Sequence, residues 1–286
     1  MKLRRIKAVQ EPSHVINRRK RRRQRILRAV RSILVTALFA VTMIYAALSP
    51  FFNIKDIIAD GSKRYSISDL TAASGLRTGR NGFRLLFSSK SKPGLFRMGD
   101  AEQAIIDRCP YVKSASVRYI IPGTIKINIV EREPVAIIDM KGIPLLIDRE
   151  GYLLEIGPDF SPESVVDGLP VIRTVDPGSA NPGKKLDIPE EMLLSAFKVF
   201  DTIKEVDAVN NAEMLPIVDY IDTSDISNIR FSLQTRVTVN LGKAEELHYK
   251  INAAASIFTK NIKKTERGTL DFSVGRDPVF TPESGG

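Results

Sequence analysis

The sequence predicts an α+β protein with a short cytoplasmic arm, a single transmembrane helix and two folded domains after it. Three observations support this prediction: a dense cluster of basic residues near the start, an uncharged apolar stretch directly after it, and alternating helical and strand-like hydrophobic patterns in the remainder. The predicted boundaries are residues 1–31 for the basic arm, 32–52 for the transmembrane helix, 53–133 for the first domain, 134–275 for a β-rich second domain with helices, and 276–286 for a tail.

The apolar stretch is long enough to cross a lipid bilayer. Residues 32–52 would form a helix of about 31 Å, close to the thickness of a hydrocarbon core. The residues before it are rich in Lys and Arg, so the positive-inside rule places the N-terminus in the cytoplasm and the C-terminal domains outside it. We therefore expect a single-pass protein of the cytoplasmic membrane. A cleaved signal peptide would need a shorter leader and a shorter apolar region.

The basic arm is interpreted as a membrane-surface element and not as a nucleic-acid site. Residues 1–31 hold 13 Lys or Arg and one acidic residue, whereas the rest of the chain holds 30 basic and 32 acidic residues. A domain that binds nucleic acid would carry its positive charge on the folded surface. We therefore expect no nucleic-acid partner, and we expect the arm to attract anionic lipid headgroups. The predicted membrane-surface cluster comprises Arg18, Arg19, Lys20, Arg21, Arg22, Arg23, Arg25, Arg28 and Arg31.

The first domain is predicted to run strand, helix, helix, strand, strand. "SISD" at residues 66–69 fits a capping box at the start of a helix, and Gly75 suits the left-handed turn that ends it. Residues 77–99 contain scattered Gly, Pro and Ser and predict a loop. In "SASVRYIIPGTIKINIVERE", residues 114–133, apolar and polar positions alternate on both sides of a Pro-Gly pair. This pattern predicts a hairpin with one buried face and a type II turn.

The second domain is predicted to begin with a three-strand meander over residues 135–156. An amphipathic helix is expected over residues 187–204, and a tight hairpin over residues 230–242. A second helix is expected over residues 247–262. A last strand over residues 268–274 completes the prediction, and the tail after it carries no structural signal.

No set of residues predicts catalysis. The region after the apolar stretch contains one histidine, His248, and one cysteine, Cys109, so an internal disulfide is excluded. Packing explains both, because His248 lies on an amphipathic helix and Cys109 lies at a helix end. The sequence lacks the common metal, phosphate and nucleophile motifs. We therefore expect a protein that is not an enzyme and has no cofactor; the alternative is a membrane-anchored extracytoplasmic cell-wall enzyme.

Several motifs in the region after the apolar stretch resemble the FtsQ/DivIB family of bacterial cell-division proteins. They are "CPYVKSASVRYIIPGTIKINIVEREPVAII" at residues 109–138, "GIPLLIDREGYL" at 142–153, "LPVI" at 169–172, "TVNLGKAEELHYKINAAASI" at 238–257 and "GTLDFSVGRDPVF" at 268–280. The resemblance implies a POTRA domain (β-α-α-β-β) next to the membrane, followed by a second, β-rich domain. It also implies a non-catalytic scaffold role in the divisome, at the division septum during septal wall synthesis.

The resemblance further implies partners. These are the divisome proteins FtsL and FtsB/DivIC, with septal peptidoglycan synthases as candidate further partners; the lipid bilayer is a partner that the apolar stretch already predicts. The last strand of such a protein serves as a docking edge, since an edge strand offers main-chain N–H and C=O groups that an incoming strand can pair with. A plainer interpretation is that the same strand only buries one face against the preceding helix. The predicted docking strand comprises Thr269, Leu270, Asp271, Phe272, Ser273 and Val274.

Overall fold

The computed structural model describes residues 13–88, 95–157, 168–210, 213–273 and 277–283. A long N-terminal helix leads into a small three-stranded domain and then into a larger domain built on a nine-stranded sheet. The predicted α+β class is confirmed.

The basic arm and the apolar stretch share one helix, α1 (Ser13–Ala47). The segment Arg22–Ala47 of this helix is long and apolar enough to cross a membrane, and almost all of its side chains are exposed. The expectation that the helix continues to residue 52 is wrong, because α1 ends at Ala47 and Pro50–Phe52 forms a single 3-10 turn. Proline lacks the N–H that an α-helix would need at that position.

The first domain has the predicted order of elements with one addition. Its sheet runs β1-β3-β2, in which β1 is parallel to β3 and β2 is antiparallel to it. The loop expected over residues 77–99 instead contains a short extra helix. The elements are β1 (Asp56–Asp60), α2 (Ile67–Ser74), α3 (Gly82–Ser88), α4 (Gly99–Arg108), β2 (Val112–Ile120) and β3 (Thr124–Glu131).

Local sequence signals explain where these elements begin and end. The capping box is confirmed, since Ser66 accepts from the Asp69 N–H and the Asp69 carboxylate accepts from the Ser66 N–H. Gly75 ends α2 with a φ of 70°. The hairpin is confirmed, but its turn is not of type II, because the Ile121–Pro122 peptide is cis and Gly123 does not have a positive φ.

The second domain forms one mixed sheet in the order β12-β11-β10-β9-β8-β7-β4-β5-β6. The meander, both helices and the hairpin are confirmed, whereas β7, β8 and β12 were not predicted. The elements are β4 (Ala136–Met140), β5 (Ile143–Ile147), β6 (Leu153–Ile156), β7 (Val171–Arg173), α5 (Glu190–Asn210), β8 (Val218–Asp222), β9 (Ile229–Leu233), β10 (Val237–Gly242), α6 (Leu247–Lys260), β11 (Gly268–Asp271) and β12 (Val279–Pro282).

The core of the second domain lies between the sheet and the helices α5 and α6. Fully buried apolar side chains from both layers meet there, such as Phe231 of β9, Ile203 of α5 and Ile251 of α6. The helix α6 connects the parallel strands β10 and β11, as a crossover between parallel strands requires. The end of the chain is thereby brought back onto the edge of the sheet.

Arg132 joins the two domains. Its Nη1 donates to Asp148 Oδ2 at 2.6 Å, and both side chains are about nine-tenths buried, with relative exposures of 6% and 7%. The guanidinium lies over the Tyr152 ring, 3.6 Å from its centroid. A buried pair of this kind is strongly disrupted when one partner is removed, because the other charge is left without compensation.

We expect Arg132→Ala to lower the free energy of unfolding by about 3 kcal/mol. This value is at the lower end of the roughly 3–5 kcal/mol that breaking a buried ion pair costs. The reason is that Asp148 Oδ1 still accepts hydrogen bonds from the N–H groups of Glu150 and Tyr152. Urea denaturation of the full chain in detergent measures the change. The matched control is Arg149→Ala, whose pair with Asp201 is half exposed, and it should cost less than about 1 kcal/mol. Equal losses in the two variants would contradict this account.

Glu131, at the end of β3, holds the turn that follows β1. Its Oε1 accepts from the Ser62 hydroxyl at 2.7 Å and from the N–H groups of Lys63 and Arg64 at 3.0 Å each. Burial raises the pKa of Glu131, but these hydrogen bonds outweigh burial and leave the pKa below its ordinary value. The ionised carboxylate is therefore the form that stabilises the fold.

Because the pKa of Glu131 is lowered in the folded chain, its stabilising effect is present above the unfolded pKa of about 4.3 and is lost as the pH falls through the folded pKa. We expect Glu131→Gln to reduce the free energy of unfolding at neutral pH by roughly 1 kcal/mol. Its unfolding free energy should also fall less steeply on acidification than that of the parent chain. Glu133→Gln, at an exposed neighbour, is the control in the same denaturation series and should change the free energy of unfolding at neutral pH by less than about 0.5 kcal/mol.

Candidate docking edge

The predicted docking strand is not the last strand of the sheet. The strand β11 covers only Gly268–Asp271, and β12 (Val279–Pro282) pairs antiparallel with it. The expectation that the residues after 275 carry no structure is therefore wrong. Leu270 and Phe272 are 1% and 4% exposed and belong to the main core, and Val274 lies outside the described residues.

Both edges of β11 are used within the sheet. The N–H groups of Gly268 and Phe272 donate to Arg236 O at 3.1 Å and Asn240 O at 2.8 Å on the β10 side. The other edge pairs with β12, with Leu270 opposite Phe280. β11 is consequently an interior strand, and the outer edge has moved to β12.

The hydrogen bonding of β12 shows which of its main-chain groups face outward. The Glu283 N–H donates to Arg267 O at 2.8 Å, so this opposed pair bonds towards β11. Bonding alternates along an antiparallel strand, and Thr281 and Val279 therefore also direct their main-chain groups at β11. Phe280 directs its N–H and C=O to the outer side. The exposed edge thus offers a donor and an acceptor at Phe280, and a further acceptor at the C=O of Pro282, which has no N–H to donate.

Gly268 permits the close approach of β12. A Cβ at this position would lie 2.3 Å from Thr281 O and 2.9 Å from Phe280 Cζ, both closer than real side-chain contacts allow. The Phe280 ring, partly buried against the core, consequently sits over the glycine. The outer face of β12 remains open, since Val279 is 60% exposed and Thr281 is exposed as well.

Two of the other sheet edges are covered by the chain itself. Next to β2, the Tyr119 N–H donates to Phe96 O at 2.9 Å and the Met98 N–H to Val117 O at 2.9 Å. Next to β6, the Leu153 N–H donates to Lys184 O at 2.9 Å. Within the described residues, β1 is the remaining outer strand without a paired strand on its far side, and it carries a charged Asp at each end. Charged ends of this kind discourage pairing.

The residues considered for catalysis are not brought together. His248 Nε2 lies 3.0 Å from Glu205 Oε2 on the surface of the two-helix layer, in the second domain. Cys109 is 4% exposed at the end of α4 in the first domain, and burial raises the pKa of its thiol. Cys109 therefore behaves as a small buried apolar residue, as predicted. Among the described residues, no three His, Cys, Asp or Glu side chains are grouped so that they could hold a metal ion.

The predicted membrane-surface cluster lies on the N-terminal half of α1. Arg22, Arg23, Arg25, Arg28 and Arg31 are all exposed on the helix that continues into the apolar stretch. The structure does not describe the side chains of the remaining members, Arg18, Arg19, Lys20 and Arg21. The basic residues and the candidate span therefore lie on one continuous helix.

Comparison with known proteins bears on the identity of the first domain. Residues 52–132, which include the 3-10 turn after α1 and all three strands of the small sheet, match the family of POTRA domains of the FtsQ type. The membrane-proximal domain is an FtsQ-type POTRA domain. The order of its strands and helices, with α3 added, agrees with the order that the resemblance implied.

The likeness to cell-division proteins extends well beyond the POTRA domain. The chain is 28% identical over 233 residues to the cell division protein DivIB of Clostridium acetobutylicum, covering 81% of this chain and 84% of that protein. It is 24% identical over 226 residues to the cell division protein FtsQ of Corynebacterium glutamicum, covering 79% and 87%. The predicted resemblance to the FtsQ/DivIB family is confirmed. It supports a cell-division role as a membrane scaffold.

We expect Gly268→Val to detach β12 from the sheet, because the new side chain would occupy the position of Thr281 O and the Phe280 ring. Hydrogen exchange at residues 279–283 should then accelerate, while β9 and β10 remain protected. Thr269→Val is the control, because Thr269 is exposed on the same strand and valine has nearly the size and shape of threonine. Unchanged protection of β12 in the Gly268 variant would show that the close approach is unnecessary.

Proposed function

We propose that this protein is a non-catalytic, single-pass scaffold of the bacterial divisome that binds FtsL and FtsB/DivIC-type proteins through the outer edge of β12. The observation that carries the proposal is the open edge of the nine-stranded sheet, which follows an FtsQ-type POTRA domain in the same chain. Strand addition to such an edge gives affinity through main-chain hydrogen bonds and specificity through alternate side chains.

The predicted docking residues take a different part in this proposal. Thr269 and Asp271 hold β12 from the inner side, while Leu270 and Phe272 anchor β11 in the core. The partner strand would bond to Phe280 and contact the exposed side chains of β12. The docking surface is therefore shifted by one strand from the residues that the sequence indicated.

The basic arm suggests how the scaffold is oriented. Its Lys and Arg residues favour a cytoplasmic N-terminus, which places the POTRA domain and the large sheet outside the cytoplasmic membrane. In that orientation the docking edge faces the septal compartment, where septal peptidoglycan synthases would be further partners. A reporter fused after residue 283 should be active only in the extracytoplasmic compartment; activity only in the cytoplasm would overturn this orientation.

The double substitution Val279→Asp and Thr281→Asp tests the docking edge. Charged residues on both exposed positions of β12 should weaken binding to the FtsL–DivIC pair by at least roughly tenfold, or about 1.4 kcal/mol. Affinity is measured with the full chain in detergent and the co-purified partner pair. Hydrogen exchange is measured in parallel to show that the core strands keep their protection.

The matched control for this test is Ile156→Asp on β6. Ile156 is 43% exposed on the strand at the opposite end of the same sheet, so the variant adds a charge without touching the proposed edge. It should bind as the parent chain does. Equal affinity of the β12 double variant and the parent would refute docking at β12. Turnover of peptidoglycan or its precursors by the purified chain would instead favour the anchored-enzyme alternative.

A further inference from the structure

We propose that the POTRA domain is seated directly on the lipid bilayer by a rim of exposed apolar side chains around the exit of α1. This membrane rim is proposed to lie at the boundary between headgroups and acyl chains, on the side of the membrane that carries the folded domains. Its members are Phe51, Phe87, Leu95, Ile120 and Ile121, which are 61%, 70%, 58%, 45% and 49% exposed.

The domain is bonded to the end of the candidate span. The Asn81 side-chain amide donates from Nδ2 to Ala47 O at 3.1 Å and to Ser49 O at 3.0 Å. The last carbonyls of a helix have no partner within the helix, so the bond to Ala47 O satisfies a group that would otherwise need water or another donor. Since α3 begins at the next residue, Gly82, this helix starts beside the membrane exit.

Aromatic packing fixes α3 in that place. The Phe83 ring lies 5.1 Å from the Phe52 ring and 5.6 Å from the Tyr119 ring, centroid to centroid. A Cβ on Gly82 would lie 2.3 Å from the Tyr119 ring, so only glycine lets the helix press so closely on β2. Phe87 follows Phe83 by four residues and therefore shares its face of α3. Phe87 is largely exposed there.

The tip of the β2–β3 hairpin meets the same exit. The Lys55 N–H donates to Gly123 O at 2.7 Å, and the Tyr119 hydroxyl donates to Phe52 O at 2.9 Å. These contacts hold Ile121 beside the residues that leave α1. The turn after α1, the helix α3 and the tip of the β2–β3 hairpin thus converge at one end of the domain. The apolar side chains that they present there are exposed and not buried in the core.

The length of the span favours lipid as the partner of this rim. The uncharged part of α1, residues 32–47, is 16 residues long and about 24 Å in length, shorter than the roughly 30 Å hydrocarbon core. A short span keeps the adjoining domain close to the acyl boundary. Exposed Lys55, Arg80 and Arg84 border the rim and suit lipid phosphates, and aromatic rings are favoured at this depth. The rim therefore continues the lipid-facing surface of α1.

Single tryptophan substitutions test whether the membrane rim contacts lipid, because the chain has no tryptophan of its own to contribute fluorescence. The full-length variants Phe87→Trp and Ile121→Trp are reconstituted in phosphatidylcholine–phosphatidylglycerol vesicles, with or without acyl chains brominated near the carbonyl end. Phe39→Trp, in the middle of the span, reports insertion of α1 by quenching with deeply brominated lipid. Leu194→Trp is the matched control, since Leu194 is 55% exposed on α5 of the second domain.

We expect brominated lipid to quench at least one of the two rim variants several times more strongly than Leu194→Trp, with a blue-shifted emission. If neither rim variant is quenched more than Leu194→Trp, the membrane seat is wrong. Blue-shifted emission without quenching would mean that protein covers the rim and would also overturn the proposal, as would an unquenched Phe39→Trp. Partner binding at β12 is measured separately. A negative quenching result would therefore refute the membrane rim without deciding whether partners dock at β12.

Discussion

The buried Arg132–Asp148 pair is the contact on which the rest of the arrangement depends. Arg132 follows the last strand of the POTRA sheet, and Asp148 follows the second strand of the large sheet, so the pair bridges the two domains where the chain passes between them. A small apolar cluster of Tyr111, Leu146 and Leu154 surrounds this junction. Because the charges are shielded from water, the pair is directional and costly to open. The two domains are consequently held against each other at this junction.

That rigid junction connects the membrane to the open edge of the sheet. Asn81 ties the POTRA domain to the end of α1, and Arg132 ties the large sheet to the POTRA domain. If partners dock at β12 as proposed, these contacts would present that edge in a defined orientation relative to the candidate span. A scaffold benefits from this arrangement, since pre-oriented binding surfaces lose less conformational freedom when a partner binds.

The sequence predicted those elements whose pattern is set by local chemistry. The hairpin of β2 and β3 alternates without interruption, and Ser66 and Gly75 mark the ends of α2 by capping chemistry. The helix α3 was missed because "GFRLLFS" is short and glycine-led, and its position depends on the Tyr119 ring, which is remote in sequence. The predicted docking strand lay one strand inside the outer edge of the sheet for a similar reason. Two prolines flank "VFT" at residues 279–281, so the segment does not look like a strand. The strand β12 forms because it pairs with β11 and because Gly268 leaves room for its close approach, and the sequence around β12 indicates neither contact.

The contact between Lys184 and Leu153 has a consequence for how many molecules can associate. At the β6 end of the sheet, the Leu153 N–H and C=O are both occupied by residues 183 and 184, and Tyr111 of the neighbouring domain bonds to Glu155. A sheet propagates from one molecule to the next only when both of its ends can accept a strand. With one end obstructed in this way, two copies of this sheet can pair edge to edge only through their β12 strands. Pairing of this kind closes after two molecules, so copies at high local concentration would form discrete pairs instead of fibres.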